Sequence, residues 1–142
     1  MQEQIRMEAF TAQIGKYTGP DGLDITIKSA RGLGRTFAPT DWKMVLGVKR
    51  GTVSREAYEQ WYLELMRKSY RERRRDWEQL LARARVVLLC YCPPGTPYCH
   101  RYLLANILGK LGATIRGELR SAPVVSARGT GKTRPQKPKG EQ

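Results

Sequence analysis

Arg85-Val-Val-Leu-Leu-Cys90-Tyr-Cys92-Pro-Pro-Gly-Thr-Pro-Tyr-Cys99-His100-Arg101 is the stretch whose reading decides the fold. Val86 to Tyr91 is an unbroken apolar run rich in β-branched residues, the pattern of a strand buried on both faces. Pro93, Pro94, Gly95 and Pro97 then exclude helix and ladder pairing, so the chain has to turn at the carboxyl end of that strand. A helical period begins at Cys99, where Leu103, Leu104, Ile107, Leu108 and Leu111 recur at three- and four-residue spacing and Gly112 supplies a stop. Ala113 to Leu119 can return as a strand. Together these residues read as one βαβ unit. In open α/β sheets ligands sit outside the carboxyl ends of the strands, and this loop holds all three cysteines, the only histidine and Arg101.

Upstream, Ile5 to Ile14 alternates roughly apolar and polar, as a first strand does, and the turn formers of Gly15 to Gly22 end it. Leu23 to Ile27 reads as a second short extended piece, and the glycines and basic residues between Ser29 and Pro39 as an exposed loop. Thr40 or Asp41 can cap a short helix through Val45. Ser54 caps a longer pattern with Tyr58, Trp61, Tyr62, Leu65 and Met66 on one face, continued by Tyr70, Trp77, Leu80 and Leu81. That pattern fits one helix to about Ala84 or two helices broken near Arg73. At helical spacing, its aromatics are core residues before they are stacking platforms. The expected fold is therefore α/β: one small domain over 1–119 with a mostly parallel sheet, followed by a mobile basic tail over 120–142, rich in proline and poor in apolar residues.

A chain of 142 residues with 40% hydrophobic composition supports one domain burying about two thirds of its unfolded surface. No window approaches the roughly 20 apolar residues of a membrane span, and no signal-peptide core is visible, so the expectation is a cytoplasmic protein without membrane contact. Three clustered cysteines do not make a disulfide framework; free or metal-binding thiols fit better. The formal net charge of +13 calls for an acidic partner, either nucleic acid or an acidic protein surface. Positive charge gathers in two places: Arg67, Lys68, Arg71, Arg73, Arg74 and Arg75 against Glu72, and six basic residues of the tail against Glu141.

Cys99 at a helix start meets unpaired amides and the helix dipole, and Arg101 adds positive charge, which suits a nucleophile or an anion site. The competing reading is a small buried residue at a tight junction. Cys90, inside the apolar strand, reads as structural. Cys90, Cys92, Cys99 and His100 are ligand types for zinc, but adjacent Cys99 and His100 should diverge at a helix start, so no metal and no cofactor is expected. His100 with Arg101 can hold a phosphate at the helix N-terminus, or His100 can pack locally. Asp21 and Asp24 are possible distant acids, although turn aspartates usually bond their own backbone. The first basic cluster is either a solvated face or a grip on phosphates or an acidic groove. Arg71, Arg73, Arg74 and Arg75, with Lys132, Arg134, Lys137 and Lys139 of the tail, are the expected partner-binding residues.

Tyr17-Thr-Gly-Pro-Asp with Leu23-Asp-Ile-Thr, Phe37-Ala-Pro, the Trp61-Tyr-Leu-Glu-Leu-Met-Arg helix, and Leu89-Cys-Tyr-Cys with Cys99-His-Arg together resemble the small family numbered four-eight-eight among domains of unknown function. The likeness runs from about Ile5 to Leu119, and Cys99-His-Arg is its most specific part. It implies an α/β domain with that loop at a sheet edge and brings no activity with it. In size, basicity and tail the chain is also similar to small Thermus-phage inhibitors of host RNA polymerase. That resemblance implies binding to the β flap of bacterial RNA polymerase and to the sigma factor's C-terminal domain, with inhibited promoter-dependent initiation and antitermination as consequences in the host cytoplasm. The leading expectation is thus a non-enzymatic regulator of transcription. The alternatives are a nucleotide- or nucleic-acid-processing enzyme using Cys99, His100 and Arg101, and a general nucleic-acid-binding protein.

Overall fold

Four parallel strands form a single sheet in the order β2-β3-β1-β4, where β1 is Glu8–Gln13, β2 Gly22–Asp24, β3 Arg85–Cys90 and β4 Thr114–Leu119. The computed structural model describes residues 5–120. The expected basic tail over 120–142 lies outside them apart from Arg120, and with it Lys132, Arg134, Lys137 and Lys139. β3 is hydrogen-bonded on both sides, and Val86, Val87 and Leu88 are fully buried, which is why its sequence is a continuous apolar run. β4 follows β3 in the expected βαβ unit but pairs with β1, so α4 (His100–Lys110) crosses a strand that lies between them.

One face of the sheet carries the main core. Met7, Ala9, Leu23, Val86 and Leu88 pack there against Tyr62 and Met66 of α2 (Arg55–Glu72), Trp77 and Leu80 of α3 (Arg74–Leu81), and Leu104 and Leu108 of α4. A smaller cluster of Ala12, Tyr17 and Val87 covers the other face, with Tyr17 supplied by the connection from β1 to β2.

The long aromatic pattern resolves into two helices with a break at Arg73 (φ −128°, ψ 43°). Trp77 explains the break. Its ring is edge-on to Phe37 and Tyr70, its Nε1 donates to Ser69 Oγ at 3.0 Å, and Ser69 Oγ donates to the Thr36 carbonyl at 2.8 Å, so the chain has to bend to deliver the indole. Ser54 caps α2 by accepting from the Ala57 amide, and Asp41 caps α1 (Trp42–Arg50) by accepting from Lys43. α1 runs past the expected Val45 to Gly51, whose φ of +87° ends it in the left-handed region.

The segment between Ser29 and Pro39 is not an exposed loop. It contains a 3-10 helix over Gly32–Phe37, and Phe37 is fully buried. Gly34 permits this: a Cβ there would stand 2.0 Å from the Asp24 carbonyl oxygen, so only glycine lets the segment close on the end of β2. Among the described residues no helix is long and apolar enough to cross a membrane.

Candidate functional site

The carboxyl ends of β2 and β3 open into a cavity of about 460 Å³. Its walls come from α1 (Trp42, Val45, Val48, Lys49), from Tyr58 of α2, and from Thr26 to Lys28 beyond β2. Its floor is the opening stretch of the sequence: Cys90, Cys92, Cys99 and His100.

Cys90 ends β3, Cys99 is the residue before α4, and His100 is the first residue of that helix. The proline-rich loop folds back between them, held by Cys99 N–H donating to the Thr96 carbonyl (3.1 Å), Thr96 Oγ1 donating to the Pro93 carbonyl (2.8 Å) and Gly95 N–H donating to the Tyr102 hydroxyl (3.0 Å). The three sulfurs consequently meet in one buried cluster. His100 Nε2 lies 2.6 Å from the Ile25 carbonyl oxygen, which can only accept, so Nε2 carries the proton. Nδ1 is thereby left facing Cys90 Sγ at 3.9 Å. The thiols of Cys92 and Cys99 hydrogen-bond toward Cys90 and hold its thiol below the ordinary range, while the His100 Nδ1 lone pair faces the same sulfur. Cys99 and Cys92 are pushed up, first by their bonds to Cys90.

Arg101 is fully buried and does not face the cavity. Its five N–H donors are all engaged: Nε and Nη2 with Glu118 of β4, Nη2 also with the Tyr102 hydroxyl, and Nη1 with the Cys92 carbonyl (2.8 Å) and Cys99 Sγ (3.4 Å). None remains for a phosphate, which corrects the expectation that His100 and Arg101 hold one together. The guanidinium is a positioning group that fixes the loop, the helix start and β4 relative to one another. Glu118, its counter-ion, has no local sequence signal, since the partners are 17 residues apart on different elements.

The distant acids are occupied elsewhere. Asp24 accepts from the Thr26 amide and hydroxyl and from Ser29, as a turn aspartate does, and Asp21 pairs with Arg85 at 3.1 Å. The cationic groups at the cavity are Lys28 and Lys49, both exposed, and its aromatic walls are Trp42, Tyr58, Tyr91 and Tyr98. Lys28 Nζ stands 5.5 Å from the Tyr91 ring centroid, and the Tyr91 hydroxyl is hydrogen-bonded to Ser29 at 3.0 Å. Sequence reasoning missed these residues, because only the fold brings them to the Cys-His loop. The one available signal was Trp42, a large apolar residue directly after a helix cap and 48% exposed.

Arg71, Arg73, Arg74 and Arg75 lie at the α2–α3 junction and are all exposed, away from the cavity. Arg74 stacks on Tyr70 with its guanidinium carbon 4.1 Å from the ring centroid.

No curated protein and no solved structure matches the chain. A family model described as the active DUF488-N3 subclade matches residues 26–112, which include every residue lining the cavity. With more than half of the 142 residues matched, the chain belongs to the DUF488 family, within that subclade; its Cys-His-Arg loop lies at the carboxyl end of the interior strand β3, not at an edge strand.

Proposed function

We propose that the cavity is the reactive site of an enzyme acting on a nucleotide or on the end of a nucleic acid. The observation that carries this reading is the convergence of three thiols and an imidazole on the floor of a cavity with aromatic walls and two lysines. Trp42 and Tyr91 offer exposed ring faces for a base, and Lys28 and Lys49 offer charge for phosphate. The thiol–imidazole floor supplies the reactive groups, and the buried Arg101 holds them in register. The matched subclade's description as active agrees with a working site.

The test is titration of the full chain with mononucleotides and short single-stranded oligonucleotides, following tryptophan fluorescence. Saturable quenching is expected, lost in Trp42→Phe and weakened in Lys28→Gln with Lys49→Gln, accompanied by substrate conversion that disappears in Cys90→Ser. Absence of saturable quenching by every nucleotide at millimolar concentration sinks the reading.

A second reading keeps the expectation of a transcription regulator, and the exposed Arg71, Arg73, Arg74 and Arg75 favour it. Of these, Arg71 borders an apolar groove lined by Leu63, Met66, Tyr70, Trp77, Ile107 and Leu111 and flanked by Arg67 and Lys110. An acidic protein surface with apolar anchors complements such a face. Capture of RNA polymerase subunits in stoichiometric amounts from nuclease-treated bacterial lysate is the expected result on this reading. Their absence from the captured material removes it.

A further inference from the structure

Adjacent Cys99 and His100 do not diverge at the helix start as their spacing predicts. Cys99 precedes the helix in an extended conformation (φ −63°, ψ 129°), and His100 opens it. Their side chains therefore leave the backbone under different local geometries and converge on the end of β3. The ligand atoms of Cys90, Cys99 and His100 all lie within 4.8 Å of one another, and all three residues are buried. Two sulfurs bound at about 2.3 Å in a tetrahedron stand about 3.8 Å apart, so the three ligands need to close by only about an ångström around an ion.

The surroundings are those of a ligand set. His100 donates its Nε2 proton to the Ile25 carbonyl, which fixes the ring and leaves the Nδ1 lone pair for the cluster. A metal-bound histidine is held in this way by a backbone carbonyl on its other nitrogen. Arg101 donates to Cys99 Sγ from outside the cluster, and Glu118 balances the guanidinium. Two thiolates would then neutralise a divalent cation without leaving a net buried charge. Soft sulfur with imidazole in tetrahedral array selects zinc over the hard cations.

We propose that Cys90, Cys99 and His100 bind one zinc ion, with the fourth position open to the cavity. This rests on the reading of the cavity as the reactive site and names the cofactor that site would use. Three protein ligands and one open position are the pattern of a catalytic rather than a structural zinc, and zinc so held polarises a phosphoryl or carbonyl oxygen and activates water. Cys92 shares the sulfur cluster but lies outside the group of ligand atoms that converge within 4.8 Å, so it is left out of the ligand set.

The test is a cobalt titration of the full chain, reduced and stripped of metal by chelation, with far-ultraviolet circular dichroism as the control for folding. Expected are one equivalent of Co²⁺ per chain, thiolate-to-cobalt charge-transfer absorption, tetrahedral visible bands, and displacement of cobalt by Zn²⁺. Cys90→Ser, Cys99→Ser and His100→Gln should each weaken zinc binding by more than about 100-fold, beyond the 10–100-fold carried by outer-shell partners. Cys92→Ser should leave the spectrum unchanged.

A folded wild-type chain without the charge-transfer absorption overturns the proposal. So does retention of wild-type affinity in folded Cys90→Ser. A one-third loss of charge-transfer intensity in Cys92→Ser makes Cys92 a fourth ligand and overturns the open position. Quenching of Trp42 by nucleotide is measured separately on the metal-free chain, so failure of the ion leaves the nucleotide reading standing, and the reverse holds equally.

Discussion

Arg101 and Arg73 belong to the same strongly basic chain, yet one is fully buried and the other is exposed at a helix break. Around Arg101 the loop, the start of α4 and β4 close so that every donor has a partner. Around Arg73 the helices part, and three neighbouring arginines extend into solvent. The contrast separates two uses of positive charge: the buried guanidinium acts on the protein's own geometry, whereas the exposed cluster is available to another molecule. Net charge alone distinguishes neither use, and each can be perturbed without the other.

The largest effect is expected from Arg101→Met. It leaves the half-buried Glu118, beside Thr11, without its counter-ion and frees the Cys92 carbonyl, a change that costs at most about 3–5 kcal/mol, the cost of breaking a fully buried pair. Denaturant unfolding should show the loss as a lower midpoint. Pairing the change with Glu118→Leu should recover much of it, because removing both charges also removes the uncompensated one. A small effect of Arg101→Met alone would mean that the ion pair does not organise the loop.

The same pair can be examined through pH. Burial alone would raise the Glu118 carboxyl, but the hydrogen bond from Arg101, then that from Thr11, outweigh it and hold the group below its ordinary value of 4.5. The folded protein therefore binds this proton less readily than the unfolded chain. The resulting stability is complete above that ordinary value and is lost as pH falls through the lower folded value. Glu118→Gln should flatten the decline of the unfolding midpoint below about pH 4. An unchanged acid slope would assign the decline to other carboxylates.

How far these features were legible follows from the range of the forces that make them. The β3 run, the proline turn and the α4 period are local patterns, and the structure has all three. The break at Arg73 depends on Trp77 reaching Phe37 and Ser69, so helical spacing alone could not decide it. Gly34 looked like one of several loop glycines until its contact with Asp24 was formed. At the site, the loop chemistry was visible, but the Arg101–Glu118 pair, the wall from α1 and the meeting of Cys90 with His100 are products of tertiary closure. Adjacency does not separate Cys99 from His100, because the two lie on opposite sides of a helix boundary.

The smallest effect on stability is expected at the exposed end of the comparison. Arg71→Gln, Arg73→Gln and Arg75→Gln change side chains that make no hydrogen bond or ion pair with another described residue. Each should alter stability by no more than about 0.5 kcal/mol, as surface substitutions away from structural features do. Arg74 is the control within the cluster: it packs on Tyr70, so Arg74→Gln should cost more than its neighbours by the cation–π contribution of about 0.5–1 kcal/mol. Chemical denaturation of the four single variants checks both statements. If the three exposed changes destabilise as much as Arg74→Gln, the cluster is part of the α2–α3 packing and its charges are not free for a partner. If they leave stability intact while their combination abolishes salt-sensitive binding to an acidic protein surface, the cluster acts outward. That result would place the two arginine environments under separate constraints: one held by the fold, the other by what the fold presents.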